Sequence, residues 1–208
     1  VYDAATGYLA QTTVGFGTPE AATTNLAYDS VGNVTSVTDA NLKQTAFEYN
    51  AQNQLTKTTA PSPLSFVTYQ TYDANGNLIH IDRQARATSP GPRPASGTTD
   101  PLDDWQSTVF TYTALDQLAS VKDDLGNLTA FTYDASGNRT SVQDAELNTT
   151  TSAYDERNRL WKVTDAKLGL TESRYDPNGN LASLIDARTT ATPYTYDDFD
   201  RLTKTTYA

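Results

Sequence analysis

Aspartate recurs throughout this sequence, and its carboxylate side chain could take part in catalysis. It follows the tyrosine in the units that begin at Tyr28, Tyr72 and Tyr133, and further aspartates end the strands between them. Paired carboxylates are a common basis for general acid–base catalysis. An active site, however, is a local exception in a chain, whereas these acids recur in nearly every unit. The pattern therefore predicts a structural role, in which Asp side chains cap turns by accepting backbone N–H bonds.

Two further candidates for chemistry occur singly. His80 is the only histidine and lies in the apolar run from Leu78 to Ile81, without a Ser or Cys nucleophile motif beside it. We therefore predict a solvated or hydrogen-bonded strand residue. The segment 73–77 begins like a calcium loop, but position twelve is Gln84, where a bidentate Glu is required. We predict a plain turn there, and no catalytic residue, metal or cofactor anywhere in the chain.

Composition excludes several classes of function. The formal net charge is −10 and the pI is about 4.4, which argues against binding a nucleic-acid backbone. There is no Cys, and no apolar run approaches the ~18 residues of a membrane-spanning helix. Only 37% of the residues are apolar, yet 13 are Tyr, and Thr and Val are frequent. This profile favours exposed β-sheet over both an ordinary core and disorder.

The elements that carry these acids repeat along the chain. Tyrosine recurs at intervals of 21 residues or close to it, and we predict that these residues are structural. The repeat tyrosines are Tyr28, Tyr49, Tyr72, Tyr112, Tyr133, Tyr154, Tyr175 and Tyr196. Because Val1-Tyr2-Asp3 already lies inside the recurring motif, the sequence looks like a fragment of a longer repeat protein.

Each unit reads as one β-hairpin. A residue that tolerates positive φ stands four places after each Tyr, which predicts a turn. The structural turn glycines are Gly32, Gly76, Gly137 and Gly179. These glycine units alternate with units that carry Asn or Asp at the same place, which predicts two kinds of turn. Alternating runs such as 34–38 and 129–133 flank the turns and predict strands.

The predicted fold is therefore all-β, with tandem hairpin repeats in one continuous antiparallel sheet. Residues 1–208 form a single repeat array, interrupted by a Pro-rich inserted loop at about 86–104 that leaves the sheet. Parity within the strands also predicts a common face and an aromatic ladder. The residues expected there are Phe47, Tyr49, Phe131, Tyr133, Tyr154, Tyr175 and Tyr196.

The segments Tyr133–Thr140 and Tyr175–Leu181 resemble the YD-repeat family, known from bacterial Rhs proteins, Tc toxin C components and teneurins. The resemblance covers nearly the whole chain. It implies a long β-sheet that spirals into a hollow shell, which encloses a toxic polypeptide in the bacterial members and supports cell adhesion in teneurins. The run from Asp176 to Gly179 is similar to an Asp-Pro-x-Gly element near a self-cleavage site in Rhs relatives, but here it occupies an ordinary repeat turn.

Two functions follow as hypotheses. The first is a structural, non-enzymatic segment of a secreted or cell-surface shell that encloses or presents a polypeptide such as a toxin. The alternative is an adhesive or filament-forming surface module that binds glycans or other chains through Tyr-rich faces or open sheet edges. The expected partners are further repeat segments joined at sheet edges, with an enclosed polypeptide or surface glycans. A catalytic site in the Pro-rich insertion is the third alternative.

Overall fold

The fold consists of antiparallel β-strands joined by short turns. The structure is a computed structural model that describes residues 1–15, 17, 21–85, 93 and 104–207. These residues contain no helix, and their strands belong to one 17-stranded sheet. The prediction of an all-β fold built from tandem hairpins is confirmed. The Pro-rich loop predicted at 86–104 lies outside the described residues, apart from Arg93 and Asp104.

The chain divides into two units, which we describe separately. The first is Val1–Thr111 with Lys122–Gly126, and the second is Tyr112–Val121 with Asn127–Ala208. The strands that fall mainly in the first unit are β1 (Gln11–Val14), β2 (Ala22–Tyr28), β3 (Val34–Thr38), β4 (Gln44–Tyr49), β5 (Leu55–Thr59), β6 (Val67–Tyr72), β7 (Leu78–Gln84) and β8 (Trp105–Tyr112). Each pairs with the next along the chain.

The second unit repeats the same plan. Its strands are β9 (Leu118–Lys122), β10 (Leu128–Tyr133), β11 (Arg139–Gln143), β12 (Thr149–Tyr154), β13 (Leu160–Thr164), β14 (Leu170–Tyr175), β15 (Leu181–Ile185), β16 (Ala191–Tyr196) and β17 (Leu202–Thr205). From β10 to β17 every strand is antiparallel to its neighbour in sequence. Local pairing of this kind needs only turns of a few residues, as the sequence predicts.

The repeat tyrosine ends its strand at a β-bulge. Tyr133 pairs with Arg139, but its neighbour Thr132 pairs with Ser141, so one residue on the second strand has no direct partner. The same shift occurs at Tyr154, Tyr175 and Tyr196. A bulge bends and twists the strand locally. Tyr28, Tyr49 and Tyr72 show it as well, and this recurrence makes the bulge part of the repeat.

Turns at both ends of the hairpins place one residue in the left-handed region. In the turns that follow the repeat tyrosines, this residue is Gly at φ between 87° and 101°, or Asn or Asp at φ between 58° and 61°. The predicted alternation of two kinds of turn thus corresponds to two values of φ. At the opposite end of the hairpins the left-handed residue is Gly126, Ser65, Thr189 or one of the leucines Leu42, Leu147 and Leu168, and these leucines are largely exposed. The sequence did not predict this, because leucine is disfavoured in that conformation.

Candidate functional site

The repeat tyrosines use their hydroxyl groups to join one hairpin to the one before. The hydroxyl of Tyr133 donates to the backbone oxygen of Leu118, 15 residues earlier, at 2.8 Å. Equivalent bonds reach the first residue of the preceding hairpin's second strand. They are Tyr49 to Val34, Tyr72 to Leu55, Tyr154 to Arg139, Tyr175 to Leu160 and Tyr196 to Leu181, at 2.8 to 3.1 Å. Tyr28 donates to the backbone oxygen of Leu9, just before β1, at 2.9 Å.

Ring stacking does not link these tyrosines, contrary to the expected aromatic ladder. Tyr133 lies on β10 and Tyr154 on β12, with β11 between them. Two strand spacings are about 10 Å, whereas aromatic pairs need ring centroids about 4.5–7 Å apart. Strand pairing does place Phe131, Tyr133 and Tyr154 on one face of the second unit. The Tyr154 hydroxyl instead reaches the backbone of the intervening strand β11, at Arg139.

The turn glycines sit where the backbone requires them. Gly137 has φ of 87° and its N–H donates to the backbone oxygen of Asp134 at 3.1 Å. Gly32, Gly76 and Gly179 occupy the same place in their turns, with φ of 96°, 91° and 101°. At Gly32 an added Cβ would also lie 2.7 Å from the hydroxyl oxygen of Tyr8. A larger residue there would be strained by the backbone conformation and would displace the Tyr8 side chain.

Aspartate caps these turns, and the capping predicted from the sequence is confirmed. Asp134 Oδ1 accepts the backbone N–H groups of Ser136 and Asn138, both at 2.9 Å. Asn138 Nδ2 donates to the second carboxylate oxygen at 3.0 Å and also to Asn158 Oδ1 of the next such turn at 2.8 Å. Neighbouring turns are thus joined side chain to side chain. The turn predicted at Asp73 has the same capping bonds to Asn75 and Asn77.

These bonds shift the titration of the carboxylates. The side-chain hydrogen bond from Asn138 lowers the pKa of Asp134, and the one from Arg159 lowers the pKa of Asp155. In the same way the bond from Arg201 lowers the pKa of Asp197. Each group favours its charged form in the folded chain, because the donors stabilise the anion. Stability should therefore depend on pH in the acid range.

We expect the free energy of unfolding to stay nearly constant above the ordinary Asp value of 3.8 and to fall below it. A folded-state pKa that is depressed contributes stability above the unfolded value and loses it as pH falls through the folded value. Urea unfolding at a series of pH values measures this. Replacing Asp134, Asp155 and Asp197 together by Asn, which keeps an accepting Oδ1, should flatten the dependence. An unchanged slope in that variant would contradict the assignment.

A buried polar cluster interrupts the repeat in the first unit. His80 and Asp82 on β7 are 1% and 0% exposed, and Ser107 on β8 is also buried. Ser107 Oγ donates to Asp82 Oδ1 at 2.7 Å, and His80 Nδ1 lies 3.2 Å from Asp82 Oδ2. Arg93 Nε donates to the same Oδ2 at 2.5 Å. The carboxylate is thus surrounded by donors and by one permanent cation.

The cluster combines the residue types of a hydrolytic triad in a different order. A nucleophilic serine needs its hydroxyl proton to be directed at a base such as His. Here the Ser107 hydroxyl donates to Asp82 instead. The geometry suits a buried ion pair with its hydrogen bonds satisfied. His80, expected as a solvated or hydrogen-bonded strand residue, proves to be buried beside Asp82.

Sequence reasoning missed the cluster as a whole. Asp82 is separated from Arg93 by 11 residues and from Ser107 by 25, and the local alternation of β7 does not reveal either contact. The only signal in the sequence was departure from the repeat. Across the described residues, His, Asp and Glu side chains do not gather in threes around a point that could hold a metal ion. Asp176, in the Asp-Pro-x-Gly run, caps its own turn through Gly179 and Asn180.

Comparison with known proteins gives one family and several structural likenesses. The family model described as RHS Repeat matches residues 28–63, 112–149 and 175–208, which is just over half of the chain. No curated protein sequence matches. Among the described residues there is no helix with the length and hydrophobicity needed to cross a lipid bilayer.

Two solved structures illustrate the structural likenesses. The crystal structure of TcdB2-TccC3-Cdc42 is 14% identical over 94% of this chain, with a TM-score of 0.34. The Tc holotoxin pore of Photorhabdus luminescens, carrying a TccC3 mutation, is 14% identical over 92% of this chain, with a TM-score of 0.33. This chain spans only 16% and 15% of the length of those chains. Such weak likenesses carry no functional argument.

Proposed function

Because the chain belongs to the RHS repeat family, we propose that this structural repeat scaffold is a segment of a shell that encloses or presents another polypeptide. The observation that carries the proposal is the tyrosine-bearing face of the sheet. In the second unit this face is rich in aromatic and aliphatic side chains. We call it the tyrosine face. It includes Phe131, Tyr133, Val142, Thr150, Ser152, Tyr154, Val163, Thr171, Ser173, Tyr175, Leu184, Thr192, Tyr194 and Tyr196.

The tyrosine face keeps apolar surface accessible. Among the described residues, the only buried apolar side chains are Ile81 and Trp105, and both belong to the first unit. Residues such as Val142, Val163 and Leu184 in the second unit are half-buried. Covering apolar surface is favourable by about 25 cal/mol per Å². A polypeptide laid along this face would therefore be stabilised there.

The chemistry of the tyrosine face favours tolerance of many sequences. The hydroxyls of Tyr133, Tyr154, Tyr175 and Tyr196 are already bonded to backbone oxygens. The aromatic rings are therefore available for contact, whereas the hydroxyls need no acceptor from the bound polypeptide. The opposite face carries the polar and charged residues, including Thr132, Ser141, Lys162 and Glu172. A surface of this kind suits containment, and the proposed role needs no catalytic residue or cofactor.

We also propose a domain organisation, partners and a location for the chain. We place the chain in one array over residues 1–208 with the repeat tyrosines and turn glycines as its structural residues. Its partners would be further repeat segments joined at sheet edges, together with the enclosed polypeptide. Secretion or display on the cell surface is the setting that such a shell requires to deliver or present its content.

Directed photocrosslinking tests which face receives a polypeptide. The chain has no cysteine, so Ser152→Cys on the tyrosine face and Ser183→Cys on the opposite face each accept one benzophenone maleimide. The probe is reduced, carboxymethylated α-lactalbumin, which stays unfolded. We expect crosslinks from position 152 in clear excess over position 183, measured by mass spectrometry. Equal yields, a reversed preference or no crosslinks at either position would refute containment on this face.

A further inference from the structure

The strands of the first unit build a socket around the Asp82 carboxylate. Its walls are Tyr69 and Thr71 on β6, Asp82 on β7 and Ser107 on β8, and we call these four residues the Asp82 socket. Asp82 itself is fully buried. A carboxylate removed from water in this way needs a cation and further hydrogen bonds to remain charged. The cation comes from Arg93, which lies outside the strands.

The Asp82 socket contacts the guanidinium group of Arg93 at three points. Nε donates to Asp82 Oδ2 at 2.5 Å, and a terminal nitrogen donates to Thr71 Oγ1 at 3.0 Å. Cζ lies 4.7 Å from the centroid of the Tyr69 ring, which places the cation over the aromatic face. A planar fork of donors that also stacks on an aromatic ring is specific to arginine. A lysine ammonium has neither the plane nor the fixed directions.

The groups that contact Arg93 lie on paired strands of the sheet. Ser107 Oγ on the neighbouring strand donates to Asp82 Oδ1 at 2.7 Å, which orients the carboxylate. Trp105 packs against Tyr69 with ring centroids 5.8 Å apart. The side chain of Arg93, by contrast, is one-third exposed. The recognition groups thus belong to the sheet, and the cation is the more exposed component.

We propose that the Asp82 socket is a guanidinium-binding site that Arg93 occupies as a tethered ligand, and that it accepts an arginine-like group from solution when Arg93 is removed. The socket then holds in place the residue that fills it. An arginine of another polypeptide would be recognised by the same carboxylate, hydroxyl and ring. This inference concerns the first unit alone and does not rest on the shell proposed above.

Chemical rescue of Arg93→Ala tests the proposal. Amide hydrogen exchange at β7 and β8 is measured with and without methylguanidinium, and with methylammonium at the same ionic strength as the matched control. We expect the variant to exchange faster than the parent chain there. Methylguanidinium should slow that exchange about tenfold when present at about ten times its Kd. Methylammonium should not slow it, and the parent chain should respond to neither ion.

Two further variants make the outcome decisive. Adding Asp82→Asn to Arg93→Ala should abolish the rescue, because the neutral amide no longer pairs with the cation. If Arg93→Ala does not fold, Arg93→Lys keeps a cation near Asp82, and methylguanidinium but not methylammonium should raise its protection. Rescue that is absent, that is equal for the two ions, or that persists without the Asp82 carboxylate would overturn the proposal.

Discussion

Replacing Asp82 with alanine is expected to lower the free energy of unfolding of the first unit by about 3 kcal/mol. The change removes a carboxylate that pairs with Arg93 and leaves Ser107 Oγ without its acceptor in a buried position. Loss of one partner from a buried ion pair costs about 3–5 kcal/mol. The lower end applies here, because the one-third exposed Arg93 can regain some hydration.

Fluorescence can follow this unfolding locally. The chain has two tryptophans, so Trp105 reports alone in a Trp161→Phe background, and it lies beside Tyr69 in the first unit. Urea titrations of both chains give the difference in free energy. Asp198→Ala is the matched control, because Asp198 is an exposed turn residue. Were Asp82→Ala no more harmful than this control, the buried ion pair would not be a source of stability.

The sequence predicted what the repeat determines locally. A hairpin turn depends on residues a few positions apart, so the 21-residue interval and the Asp–Gly pairs of a unit such as Asp134–Gly137 were sufficient to predict strands and caps. The Tyr133 hydroxyl bond was not predicted, because its acceptor lies on another strand. The alternation of residues along a strand predicts correctly on which face of the sheet a side chain lies. It does not predict which residue on a neighbouring strand that side chain contacts.

The Asp82 cluster was beyond local reasoning for a different reason. In an exposed sheet, alternation places His80 and Asp82 on one side of β7, but it does not tell which side becomes covered. The buried Asp82 pairs with Arg93, which comes from the Pro-rich insertion that the sequence predicted to leave the sheet. The interruption of the repeat indicated where the sequence is unusual, but it did not predict the contacts of Asp82.

Leucine in the left-handed turns is a third kind of miss. Leu147 and Leu168 take the same place in their turns that Gly137 takes at the other end of the hairpin, with φ of 66° and 65°. Their turns are capped by Asp144 and Asp165 in the same way as the glycine turns. The capping bonds therefore impose the conformation on a residue that disfavours it. Propensity alone predicted the opposite.

Removing the four tyrosine hydroxyls of the second unit together is expected to lower its free energy of unfolding by about 4 kcal/mol. The variant carries Phe at the positions of Tyr133, Tyr154, Tyr175 and Tyr196, which keeps every ring and removes only the bonds to backbone oxygens. Each such bond contributes about 1 kcal/mol. In a repeat array, neighbouring contacts contribute nearly additively, so the losses should accumulate.

Tyr194→Phe provides a control on the same face. Tyr194 lies two residues before Tyr196 on β16, and its hydroxyl makes no hydrogen bond within the described part of the chain. That variant should unfold at nearly the same urea concentration as the parent, measured by Trp161 fluorescence in a Trp105→Phe background. If the fourfold variant lost no more stability than Tyr194→Phe, the rings alone would hold successive hairpins together. A large loss would instead assign that role to the hydroxyl groups, and would explain physically why the repeat carries tyrosine where phenylalanine has the same ring.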